Sequence, residues 1–250
     1  MSGAKQFRAA VVIGYMLSIT WLRRNLLSLV WLFATPFSLL FIITVTTGGR
    51  SFALGVIGSL LLVLSTVGTG LAGDATWYRL ETKLQDFFVA SPVNQLGYLL
   101  GIAFAGLFFA SPALIVLLPL LVYIGLPLIF LPVVLVSLVG VWLFSSAIGY
   151  LVSTFTSNLR NGWQSGLLLS VLVGILPPVF YPAEILPRNI LLLTYAIPTT
   201  NAALLIRDAM GTAPAPSLPY WSPLTGWLLI AVSLAIALAV TSRVARWRQP

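Results

Sequence analysis

Histidine and cysteine do not occur anywhere in this chain. The lack of cysteine excludes a disulfide framework and thiol chemistry, and the lack of histidine removes the commonest metal ligand and proton shuttle. An ordinary serine–histidine triad is excluded on the same ground. Charge is also scarce, at 7% of 250 residues, against about 25% in a typical soluble domain. The carboxylates Asp74, Glu81, Asp86, Glu184 and Asp208 are scattered, so no metal cluster is expected. Lys5 and Lys83 do not follow a glycine-rich phosphate loop, which leaves the chain no such ATPase site of its own. No cofactor is expected in the chain.

What is abundant is apolar: 59% of the residues are hydrophobic. This is the composition of an all-α polytopic membrane protein. A net charge of +8 would suit nucleic acid, but the basic residues fall in short segments between apolar runs, where membrane topology accounts for them and no nucleic-acid partner is implied.

The apolar runs predict six transmembrane helices at residues 25–46, 52–73, 96–119, 128–152, 163–178 and 224–241. Residues 1–24 hold an apolar stretch of only about 21 Å as a helix, flanked by Lys5, Arg8, Arg23 and Arg24. They read as an interfacial amphipathic helix on the inner leaflet, its basic side chains reaching toward lipid phosphates. A cleavable signal would end in small residues rather than Trp-Leu-Arg-Arg. Residues 179–211, broken by Pro182, Pro187 and Pro198, read as a re-entrant helical hairpin between spans five and six. A seventh span there is disfavoured by basic residues. Six spans place ten of them inside, from Lys5 to Arg248, and only Arg50, Arg188 and Arg207 outside. Both termini are then expected in the cytoplasm of a cell-membrane protein, and no Asp, Glu, Lys or Arg falls within a span.

Residues 74–93 depart from this apolar pattern. They carry Asp74, Glu81 and Asp86 with Arg79 and Lys83, and predict a short amphipathic helix between spans two and three, stopped at Ser91-Pro92. Taken alone, such a helix is more often a solvated loop than a docking element. The second span holds Ser65, Thr66 and Thr69 among several glycines, residues that permit close helix packing or line a path with hydroxyls, packing being the commoner use. Gly97, Gly101 and Ala105 recur every four residues and form a packing stripe on the third span.

Two stretches together resemble the membrane subunits of type-2 ABC exporters. Residues 81–93, ETKLQDFFVASPV, are similar to that family's first cytoplasmic loop, and residues 180–187, FYPAEILP, followed by Pro198, Arg207 and Gly211, to its re-entrant segment. The resemblance implies that 74–93 is a coupling helix docking through Arg79, Glu81, Lys83 and Asp86 on a separate ATP-binding subunit, two copies per complex. ATP and magnesium would belong to that partner. A second membrane subunit, identical or not, would pair with this one, with Ser65, Thr66 and Thr69 at the pathway or dimer seam and Pro178, Pro182, Glu184, Pro187 and Arg207 near the outer gate. Uncharged spans of small and apolar residues suit a hydrophobic, amphipathic or lipid-linked cargo, such as a drug, glycolipid or polysaccharide. The competing classes are an ATP-independent channel or carrier for a neutral solute, and a membrane scaffold protein.

Overall fold

A computed structural model describes residues 3–24, 27–212 and 220–245. Eleven α-helices occur among them: α1 (Gly3–Arg24), α2 (Leu27–Thr46), α3 (Phe52–Thr69), α4 (Leu71–Leu80), α5 (Leu84–Val89), α6 (Gln95–Tyr123), α7 (Leu131–Phe155), α8 (Leu159–Gly174), α9 (Arg188–Thr194), α10 (Pro198–Ala209) and α11 (Pro223–Val244). Arg246, Arg248 and most of the expected polar turn 212–222 lie outside the described residues. The fold is all-α with several long apolar helices, consistent with a multi-pass membrane protein.

The six-span expectation is corrected. Four helices among the described residues are long and apolar enough to cross a membrane: Phe52–Leu80, Gln95–Tyr123, Leu128–Phe155 and Pro223–Val244. The count becomes five if α9 and α10, which meet at 98°, make one broken span. The expected first span is covered by α2 over Leu27–Thr46, of which Leu32–Thr46 ranks among the shorter apolar helices of the described residues. The expected fifth becomes α8, 16 residues or about 24 Å of helix against a hydrocarbon core of about 30 Å. It starts with the polar Arg160 and Asn161 and stops before Pro177 and Pro178, which cannot donate to a continuing ladder.

Three further parts of that expectation change. First, 74–93 is not one amphipathic helix, so no distinct coupling helix is identified. Residues 74–80 continue the Phe52–Leu80 helix; the ladder ends where the Glu81 and Thr82 amides both donate to the Trp77 carbonyl. Lys83 then takes a left-handed φ of 55°, and only the six residues of α5 are helical beyond it. Asp74 and Arg79 therefore ride on an apolar helix counted as a span. At 29 residues that helix is about 43 Å long, which leaves about 13 Å beyond the hydrocarbon for its charged end. Second, 179–211 is not identified as a re-entrant hairpin but as a turn, a short 3-10 segment (Ala183–Ile185) and the bent α9–α10 pair. Third, α1 does not stand apart on a leaflet. It runs parallel to α6 and is seated in the Gly97–Gly101–Ala105 stripe. The Gln6 amide spans the Pro92 carbonyl (2.9 Å) and the Asn94 N–H (3.2 Å), and Ile13 covers Gly101. Gly14 abuts the backbone of Phe104 and Ala105, and the Phe7 and Phe104 rings meet edge to face at 5.8 Å.

The core is organised around α3. Val56 through Leu64 are buried on all sides, as a helix in the middle of a bundle requires. α2 returns antiparallel on one flank, where the Ser59 hydroxyl donates to the carbonyl of Pro36 at 2.7 Å. On the other flank α7 approaches so closely that a Cβ on Gly149 would sit 2.5 Å from the Gly68 carbonyl oxygen. The buried Trp142 indole N–H donates to Ala103 of α6 (3.2 Å), and the Thr241 hydroxyl of α11 to Ala147 (3.1 Å), which fixes α7 between its neighbours.

Candidate functional site

Among the residues singled out in the sequence, some form an exposed elbow and two arginines form buried clamps. At the elbow, where α4 ends and α5 begins, Glu81, Thr82, Lys83, Asp86 and Phe87 are all exposed, Phe87 at 68%. An exposed large aromatic ring beside charges of both signs is a surface that gains by being covered. The loop that follows is tied by side-chain hydrogen bonds. Ser91 accepts from the Val93 amide, Asn94 caps α6 by accepting from the Gly97 amide at 2.7 Å, and Gln6 brackets the strand between them.

Arg79 does not join this surface. It is 8% exposed, and its guanidinium donates to the carbonyls of Ser153 (2.8 Å), Thr154 (3.2 Å) and Thr156 at the end of α7. The last carbonyls of a helix lack intrahelical donors and carry the negative end of its dipole, which suits a buried cation. Its planar fork reaches several oxygens at once.

The residues expected at the far end separate in the same way. Arg207, 5% exposed, donates to the carbonyls of Pro178 (2.8 Å), Val179 (3.1 Å) and Tyr181 (3.1 Å). Pro178 is buried within that turn, while Pro182, Glu184 and Pro187 are exposed. The Tyr181 hydroxyl donates to the Leu176 carbonyl, and partial burial holds that phenol above its ordinary pKa. Nearby, the Asn201 amide donates to Tyr195 (2.7 Å) and the Thr199 hydroxyl to Val173 at the end of α8, holding the α9–α10 bend against α8.

Ser65, Thr66 and Thr69 lie inside the bundle rather than along an open path. Ser65 and Thr69 are fully buried and donate to α3's own carbonyls, and Thr66 pairs with Ser170 of α8 at 3.0 Å. Among the described residues no group of three His, Cys, Asp or Glu side chains comes together. An apolar groove of about 840 Å³ opens instead on the outer face of α2, lined by Val30, Phe33, Phe37, Phe41 and Ile42 among others.

The buried roles of Arg79 and Arg207 were missed in the sequence, because their partners are backbone carbonyls 74–77 and 26–29 residues away. A second missed feature was readable: Gly162, Gly166, Ser170 and Gly174, one every four residues, mark the face of α8 that packs on α3 and α4. No family model and no curated protein matches this chain.

Proposed function

We propose that the chain is the membrane subunit of an ATP-driven exporter, energised by a separate ATP-binding subunit that docks on the elbow. The observation carrying this reading is the exposure of Glu81, Lys83, Asp86 and Phe87 together at one end of an apolar bundle. Charge at that position gives a soluble partner electrostatic register, and the aromatic ring gives it apolar area to bury. The motif at 81–93 supplies the chemistry of the partner through its resemblance to type-2 exporters. The cargo is hydrophobic, amphipathic or lipid-linked. Ser65, Thr66 and Thr69 are taken up by packing within one chain, so the cargo follows the open apolar faces of α2 and α8, where a second membrane subunit closes the path. Purification of the tagged chain from its native membranes tests the reading: a soluble subunit with a phosphate loop should accompany it, and Glu81→Lys should release that subunit. A chain that moves a neutral solute in vesicles with no nucleotide present would place it among ATP-independent carriers.

A further inference from the structure

The six residues of α5 present two faces. Asp86 and Phe87 are exposed, whereas Gln85 is buried and Leu84, Phe88 and Val89 are half-buried. Six residues cannot sustain this helix alone, since helices shorter than about 12–15 residues are marginal in water. Its entry is unfavourable too: Lys83 takes a φ of 55°, a region that residues other than glycine, asparagine and aspartate rarely adopt. Contact with the rest of the bundle must therefore hold α5, and with it the elbow, in place.

Phe88 makes such a contact through its ring. It meets Tyr98 of α6 with 5.5 Å between centroids, and Tyr98 meets Tyr150 of α7 near edge to face at 6.2 Å. On its other side Phe88 meets the exposed Phe87 edge to face at 5.6 Å. All three spacings fall in the range of about 4.5–7 Å at which aromatic pairs attract. Both tyrosines are fully buried, so the seat beneath Phe88 belongs to two long helices at once. Arg79 lies near enough to both phenols to interact with them electrostatically, and it donates to the carbonyls of Ser153 and Thr154, one turn beyond Tyr150. At Phe88 the exposed face of the elbow thus meets the buried end of α7.

We propose that Phe88 is a positioning residue: seated on Tyr98, it fixes how Glu81, Lys83, Asp86 and Phe87 are presented and so sets the affinity of the elbow for its partner. It acts through the backbone of α5. The effect on affinity rests on the docking of an ATP-binding subunit at the elbow, whereas the seating of α5 on Tyr98 does not.

Trypsin cleavage after Lys83, on the full chain in lipid nanodiscs without any partner, reads the seating, and cleavage after the exposed Arg160 at the start of α8 reports general loosening. Phe88→Leu keeps apolar bulk and removes the ring pair. It should speed cleavage after Lys83 about 2- to 12-fold, which is the roughly 0.5–1.5 kcal/mol of an aromatic pair converted at about 1.4 kcal/mol per tenfold, with Arg160 unchanged. Tyr98→Leu should act likewise, and the double variant should fall short of the product of the two single effects. Tyr98→Phe, which keeps the ring, should match wild type. Co-purification from native membranes then reads affinity: Phe88→Leu should retain less of the ATP-binding subunit by about the same factor, and Tyr98→Phe all of it. A wild-type cleavage rate in Phe88→Leu, equal acceleration after Arg160, or single effects that simply multiply overturns the seating. Faster cleavage with the subunit fully retained overturns the role in docking. If Glu81→Lys retains the subunit as well, the docking reading fails with it, while the trypsin result still judges the seating. Where Tyr98→Leu does not accumulate in membranes, Phe88→Leu against Tyr98→Phe decides alone.

Discussion

Gly149 of α7 lies against Gly68 of α3 with no room for a side chain, a Cβ at position 149 falling 2.5 Å from the Gly68 carbonyl oxygen and 3.0 Å from the Thr69 Cα. Backbone cannot yield as a flexible side chain would. Gly149→Ala should therefore force α7 away from α3 and destabilise the bundle by about 1–3 kcal/mol, the usual cost of overpacking. Gly48→Ala, in a turn with open space around it, should owe its smaller effect to its φ of 59° alone. Thermal unfolding in detergent, followed by loss of monodisperse protein, ranks the two.

Glu81→Lys separates the two readings of the elbow. A solvated elbow loses at most about 1 kcal/mol from an altered surface charge pair. A docked one confronts the partner with an unpaired or like charge costing about 2–5 kcal/mol of association, or about 30-fold or more in affinity. We expect loss of the ATP-binding subunit on co-purification with membrane abundance unchanged, and no such loss for Arg243→Glu at the exposed end of α11. Full retention of the subunit by Glu81→Lys returns the elbow to a solvated loop.

Gln6→Leu removes both bonds that fasten the start of α1 to residues 92–94. These groups are reached by water, so the net cost should be about 1 kcal/mol per bond at most. Faster hydrogen exchange confined to α1 and the loop before α6, with α3 and α7 unchanged, is the expected pattern.

The cysteine-free chain makes topology directly measurable. Lys83→Cys and Tyr123→Cys place single thiols at the elbow that precedes α6 and at the far end of α6, both exposed, Tyr123 at 87%. An impermeant maleimide added to intact cells should label position 123 and spare position 83. Labelling of both from one side contradicts a spanning α6.

The apolar runs located α6, α7 and α11 to within a few residues, because 96–119, 128–152 and 224–241 are uninterrupted stretches whose ends carry their own signals. Asn94 and Ser222 cap the helices that follow them. The Gly97–Gly101–Ala105 stripe was legible as a packing face, though its occupant, α1, was not: pairing of helices distant in sequence leaves no local mark. Arg79 and Glu81 show where local reading stops. Both are charged residues in one short segment, and periodicity assigns both to the surface. The carbonyls at the end of α7 draw one into the interior and leave the other exposed, which depends on where a helix some 75 residues away terminates. The expected fifth span falls short for a related reason. Hydropathy counts apolar residues across a proline pair or a polar start, whereas helix length counts only those that share a continuous ladder.

The bundle contains helices of unequal length. α11 has 22 residues and α6 has 29, about 33 Å and about 43 Å. No single bilayer thickness matches both, and each ångström of mismatch costs a fraction of a kcal/mol in lipid deformation or helix tilt. A thick bilayer climbs α6 toward Tyr98 and the Asp74–Arg79 end of its neighbour, while a thin one leaves that end, and the elbow beyond it, standing farther into water. For a chain that spans the bilayer through these helices, acyl-chain length is expected to set how far the elbow projects, independently of any substitution in the chain.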